Sequence, residues 1–238
     1  MTSAGHHSML GGVKLPYDHR VEYLESTGTQ YIRLSNSVYG IDITASHVEN
    51  AGNYGICGCW NGGSQANTIR YSTILNRGWS VTNRNNNGNI YSGSLTQTAV
   101  TRFTVNGSSV TINDTPYSMG EGWSYISTLK GFGLFGCTSG DSFVVRKGRI
   151  YCATLYDSNG NMIYDFVPVR KSGVGYLYDN LSGLLTGNQG AGAFGVGSDV
   201  SAASGGGYKR QCVRRSYKRS WRPSARFWQT PRRWEVAA

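Results

Sequence analysis

Recognition of a sugar asks for a flat ring to stack on the C–H face of a pyranose. It also asks for amide or carboxylate groups that fix the hydroxyls, because a buried polar group left unpaired is costly. The chain offers that mixture in several places. Trp60 stands beside Asn61-Gly62-Gly63, Trp79 lies just before Asn83, and Tyr91 follows an Asn-rich run. Trp123 closes the segment Gly120-Glu121-Gly122-Trp123. Trp60, Asn61, Trp79, Asn83, Tyr91 and Trp123 are therefore the candidate glycan contacts, with core filling as the alternative role for each ring.

Catalytic patterns are harder to find. A retaining glycosidase needs two carboxylates about 5–5.5 Å apart across the scissile bond. Two acids separated by an even number of residues on one strand would supply them. Glu22 and Glu25 have odd separation, which sends them to opposite faces of a strand, and Glu121 stands alone. None of the four His residues sits in a recognisable catalytic context. Gly131-Phe132-Gly133-Leu134-Phe135-Gly136 mimics a dinucleotide fingerprint without a strand–turn–helix setting, so it reads as a strand whose small residues face a packed neighbour. These observations argue against an enzyme.

Cys57, Cys59, Cys137, Cys152 and Cys212 are odd in number and irregular in spacing, unlike a disulfide framework. Cys57-Gly58-Cys59 is too short for a zinc knuckle, and a strand would turn both thiols to one buried face. No cofactor is expected, although a loop-bound calcium ion stays open.

The net charge of +10 is concentrated at one end. Residues 1–207 hold 13 Lys/Arg against 12 Asp/Glu, whereas residues 208–238 hold 10 Lys/Arg against Glu235 alone. Lys209, Arg210, Arg214, Arg215, Lys218, Arg219, Trp221 and Arg222 are the candidate anion-binding residues of this basic aromatic tail. Guanidinium groups pair with phosphates, and indoles stack on bases or settle among lipid headgroups. Three roles stand open: an arm on nucleic acid or an acidic surface, a peptide that orders on a neighbouring virion protein, and a terminus without specific role.

Composition then limits the elements that can hold these residues. Glycine supplies 33 of 238 positions and charged residues only 15%, which excludes a coiled coil or helical repeat. No apolar run reaches the ~18 residues of a membrane helix, and no secretory signal is visible in residues 1–14. Ile41-Asp42-Ile43-Thr44-Ala45 alternates apolar and polar residues as a half-buried strand does. Val100–Val105 and Val110–Ile112 form a hairpin pattern around Asn106-Gly107, with both turn residues at positive φ as in a type I′ turn. A second hairpin pattern surrounds Ser158-Asn159-Gly160-Asn161. Asp157 and Asp179 precede turn residues whose N–H groups their carboxylates can accept. Pro168, unable to donate a ladder bond, is expected at an edge or strand end. Short strands with frequent turns suggest a two-sheet antiparallel β-sandwich.

The order of several motifs resembles a known family. Val21-Glu22-Tyr23-Leu24-Glu25-Ser26-Thr27-Gly28-Thr29-Gln30-Tyr31-Ile32 resembles the opening strand pair of concanavalin A-like, laminin-G-like jelly-roll modules of phage and gut-bacterial surface proteins. The closing half resembles them through Gly148-Arg149-Ile150-Tyr151, Leu155-Tyr156-Asp157, Asp165-Phe166-Val167-Pro168-Val169-Arg170, Gly175-Tyr176-Leu177-Tyr178-Asp179 and Gly190-Ala191-Gly192-Ala193-Phe194. The resemblance implies an all-β jelly roll over 20–197, preceded by an extension over 1–19. A Gly/Ser linker over 198–207 and a flexible basic tail over 208–238 would follow. It further implies a non-catalytic module on a virion or cell surface that binds a glycan or surface protein. The alternative is a structural virion decoration or fibre-assembly protein, its tail anchored to an anionic partner or a neighbouring virion protein.

Overall fold

The computed structural model of the chain describes residues 15–34, 38–48, 54–60, 66–72, 78–83, 90–92, 95–120, 122–123, 131–139 and 142–200. Among the described residues every regular element is a strand. The first four are β1 (His19–Arg20), β2 (Leu24–Thr27), β3 (Ile32–Leu34) and β4 (Gly40–His47). Next come β5 (Tyr54–Trp60), β6 (Ala66–Ser72), β7 (Gly78–Thr82) and β8 (Ile90–Ser92). The middle holds β9 (Thr101–Asn106), β10 (Ser109–Ile112), β11 (Thr115–Ser118), β12 (Phe132–Leu134), β13 (Gly136–Ser139) and β14 (Ser142–Val145). The chain continues through β15 (Lys147–Tyr156), β16 (Met162–Lys171), β17 (Val174–Asp179), β18 (Leu185–Thr186) and β19 (Gly195–Val196).

These strands form two sheets. The larger has eleven strands in the order β11-β10-β9-β4-β15-β16-β17-β18, with β1 on β16 and β2 pairing both β15 and β19. The smaller has eight, in the order β14-β13-β5-β6-β7-β8, with β12 pairing both β3 and β5. Directly opposed residues of an antiparallel ladder share a face. Ile112, Phe103, Ile43, Ala153 and Phe166 are thus one apolar row across the larger sheet. Ile32, Leu134, Cys57, Ile69 and Val81 are its counterpart on the smaller sheet. Both rows belong to one buried core, and the Trp79 ring meets Phe103 across it at 4.9 Å. Each such apolar side chain contributes about 1.5–3 kcal/mol by leaving water. The alternation read from Ile41–Ala45 follows from this packing, and β9 shows it cleanly, with every second residue buried. The all-β, two-sheet expectation is met.

Several local expectations change. Asn106 pairs with Ser109, so the central turn residues are Gly107 and Ser108. Of these only Gly107 has positive φ, at 57°, which fits a type II′ turn and not the expected I′ turn at Asn106-Gly107. The I′ pattern occurs one hairpin later, between β10 and β11. There Asn113 (φ 47°) and Asp114 (φ 64°) turn the chain, while Asn113 exchanges hydrogen bonds with the Arg102 backbone.

Pro168 lies inside β16, not at its end. It is tolerated there because β15 leaves β16 after Phe166 and β1 takes over only at Val169. The opening strand runs from Leu24 to Thr27, three residues later than its apolar start at Val21, which instead bridges Asp199. Pairing also reaches beyond 20–197 at both ends. The Asp18 and Val200 amides donate to the carbonyls of Arg170 and Arg20, and the Asp18 carboxylate accepts from Ser172 N.

Candidate binding face on the smaller sheet

The six aromatic and amide candidates separate by depth. Trp79 is 0% exposed. Its indole stacks on His47 at 5.0 Å, meets Tyr71 edge-on and donates from Nε1 to the Thr96 carbonyl. Trp123 is 4% exposed, packs on Phe132 and donates from Nε1 to the Thr82 carbonyl at 2.8 Å. Asn83 is fully buried at the end of β7. These three are core residues and not glycan contacts: ring area that the core desolvates is unavailable to a ligand. Trp60, at the end of β5, is 39% exposed. Tyr91 lies on β8, where its ladder partner is Ser80. Asn61 and all the tail candidates, Lys209 to Arg222, fall outside the described residues.

Trp60 marks a face. Across β5, β6 and β7 the apolar row Cys57–Ile69–Val81 faces the core. The alternate rows look the other way: Trp60–Ala66, Gly58–Thr68–Thr82 and Gly55–Arg70–Ser80. Residues two apart on a strand share a face, so Trp60, Thr68 and Arg70 lie together on the side turned from the larger sheet.

The glycines on this face have steric reasons. Gly58 sits at φ +133°, and a Cβ there would strike the Asn67 carbonyl and the Thr68 backbone. A Cβ on Gly55 would meet the Cys137 sulfur, which fills that space and approaches the Cys57 carbonyl at 3.5 Å.

Polar satisfaction is incomplete here. The Thr68 hydroxyl and Arg70 Nε are buried atoms without a hydrogen-bond partner, and Thr68 as a whole is 4% exposed. Ser80 Oγ, by contrast, donates to the Arg70 carbonyl. Charge is also lopsided: no strand of the smaller sheet contains Asp or Glu. The ion pairs Arg102–Asp42, Arg149–Glu25 and Arg170–Asp199 all involve residues of the larger sheet. Arg70 and Arg146 both bear on the Cys137 thiol. Burial drives that thiol up to about 12, the neighbouring Cys59 adding to the rise, while the two guanidinium groups oppose it.

A second aromatic group lies on β3 and β14. Phe143 stacks on Tyr31 at 4.1 Å, with the Arg33 guanidinium 6.0 Å above the Phe143 ring. The Gln189 carboxamide braces β3 by accepting from Arg33 N and donating to Arg33 O.

Cys57, Cys59 and Cys137 are free and buried, as the strand reading of Cys57-Gly58-Cys59 anticipated. Among the described residues no group of three or more His, Cys, Asp or Glu side chains could hold a metal ion, and no helix is long and apolar enough to cross a membrane. Thr68 and Arg70 were not among the residues singled out from sequence. The available signal was the alternation of Thr68-Ile69-Arg70-Tyr71, together with the lack of acids on the neighbouring strands. No protein-family model, curated protein or solved structure matches the chain.

Proposed function

We propose that the chain is a non-catalytic binding and adhesion module, a jelly-roll β-sandwich that recognises glycans at a cell surface as part of a phage virion or surface protein. The observation that carries this reading is the partly exposed Trp60 indole, which shares a sheet face with the Thr68 hydroxyl and the Arg70 guanidinium. An exposed ring at a strand end is what the C–H face of a sugar stacks on. Five of the described acids have other employment. Asp42, Glu25 and Asp199 pair with arginines, and Asp157 and Asp179 hold turns.

A glycan array probed with the full chain and with Trp60→Ala tests the reading. Reproducible binding that the substitution removes is the expected result. Silence of the full chain on every glycan would overturn it.

One observation favours purely structural assembly. Among the described residues β14 pairs only with β13, and its Phe143, Val144 and Val145 are half-exposed. An apolar strand edge of this kind can pair with another chain. In that reading the basic tail anchors the module to an anionic partner.

A further inference from the structure

We propose that a disulfide joins Cys152 to Cys212 and so clips the basic tail to the outer face of the larger sheet.

The cysteines themselves single out the partner. The chain has five: Cys57, Cys59, Cys137, Cys152 and Cys212. Cys57 and Cys59 on β5 and Cys137 on β13 are free, and all three belong to the smaller sheet. Cys152, on β15 of the larger sheet, takes part in a disulfide. Within one chain only Cys212, which lies outside the described residues, is left to complete it. The odd count then divides into one bonded pair and three buried thiols, a single clip in place of a framework.

The position of Cys152 agrees with this pairing. Ile43 and Ala153 oppose each other and face the core. Their neighbours Thr44 and Cys152 are also opposed, so they face outward, and Arg102 extends the outer row on β9. Cys152 and Thr44 are nevertheless only 3% and 4% exposed, although the smaller sheet lies on the other side. A segment of chain lying over this row accounts for their burial.

The last described residue is close at hand. Val200 N donates to the Arg20 carbonyl, and Arg20 opposes Val169 on β16. Ala153 opposes Phe166 on the same edge of β16. Cys152 therefore lies beside Val167, a strand step of roughly 7 Å from Val169. The twelve residues 201–212 can span about 40 Å when extended. Gly205-Gly206-Gly207 permit the chain reversal that so short a gap requires. Charge agrees as well. The adjoining outer row holds Asp42, Thr154 and Asp165, and Lys209, Arg210, Arg214 and Arg215 flank Cys212. Cations held against such a row are attracted to its carboxylates.

The bond forms by exchange with a low-molecular-weight disulfide. The Cys212 thiolate attacks that disulfide and expels one thiolate, and the Cys152 thiolate then attacks the mixed disulfide at Cys212 and expels the second. Two electrons pass to the oxidant, and the two protein thiol protons end on the released thiols. Such a bond persists in oxidising surroundings, virion and cell surfaces among them.

The test uses the full chain equilibrated with reduced and oxidised glutathione. It is unfolded in the presence of N-ethylmaleimide, digested and mapped by mass spectrometry without reduction. The expected result is one cross-linked peptide pair holding Cys152 and Cys212, with maleimide on Cys57, Cys59 and Cys137. Maleimide on Cys152, or a bond from it to any other cysteine or to a second chain, would overturn the proposal. Cys212→Ser tests the docking without altering β15. Native tryptic cleavage after Lys209, Arg210, Arg214 and Arg215 is expected to be roughly tenfold slower in oxidised wild type than in this variant, because cleavage requires the clipped segment to lift away first. Dithiothreitol should remove the difference. Equal cleavage rates in the two oxidised proteins would show that the tail is not held on the sheet, and the proposal would fall.

Discussion

At the scale of single residues, Trp60 and Trp79 show how position decides the use of one side chain. Both follow a glycine-containing run and precede polar residues. Trp79 is enclosed by His47, Tyr71 and Phe103, whereas Trp60 is half-open at a strand end. Trp79→Ala is expected to lose about 3–5 kcal/mol, the usual cost of emptying a buried aromatic site. Trp60→Ala is expected to stay within about 1 kcal/mol of wild type. Urea unfolding of the two variants checks this, and similar losses in both would mean that Trp60 also belongs to the core.

At the scale of elements, turns and strand pairs define two chemical environments. Asp157 closes the β15–β16 hairpin. Slight burial is the largest influence on its carboxyl and raises its pKa, but hydrogen bonds from the Asn161 side chain and from the Asn161 and Asn159 amides together outweigh it. The folded pKa is therefore below the ordinary value of 3.8. A depressed carboxylate contributes stability above its unfolded pKa and loses it as pH falls through the folded one. Asp157→Asn should be less stable than wild type at neutral pH, and the gap should close in acid below the ordinary carboxylate range. A pH series of melting temperatures reads this directly.

The strands β5 and β13 create the opposite situation for thiols. Burial lifts Cys59 to about 11 and Cys137 to about 12, and lifts Cys57 well above its usual value. Thiolate is the reactive form. Iodoacetamide at pH 8 should leave Cys57, Cys59 and Cys137 unmodified in the native chain and alkylate all three in guanidinium chloride. Peptide mapping by mass spectrometry distinguishes the two states.

Across the whole molecule, charge is sorted by region. On the larger sheet Glu25 and Asp42 pair with arginines, the strands of the smaller sheet hold no Asp or Glu, and residues 208–238 carry most of the net positive charge. Polyanion binding driven by such a segment falls steeply with salt, because counterions are released on contact. Deleting residues 208–238 should abolish retention on heparin at low salt while the far-ultraviolet β signature persists. Retention of the shortened chain as strong as that of the full one would place the main anionic contact in the sheets.

The amino-acid sequence alone determined the all-β character, because glycine-rich turns and alternating strands such as Ile41–Ala45 leave no helical stripe. It also determined the turn-holding roles of Asp157 and Asp179, since a carboxylate beside its own turn finds nearby N–H donors whatever the remaining fold does. Tertiary structure decided which face of each strand is covered. Alternation sorts Thr68 and Arg70 from Ile69 and Tyr71, but not which aromatic rings the second sheet encloses. Trp79 went inward because Phe103 of β9 lies opposite it, a partner set by long-range pairing. The shift of the β9–β10 turn by one residue has the same origin. Local propensity permits either turn, and the ladder that keeps Phe103 and Val105 in the core selects the register.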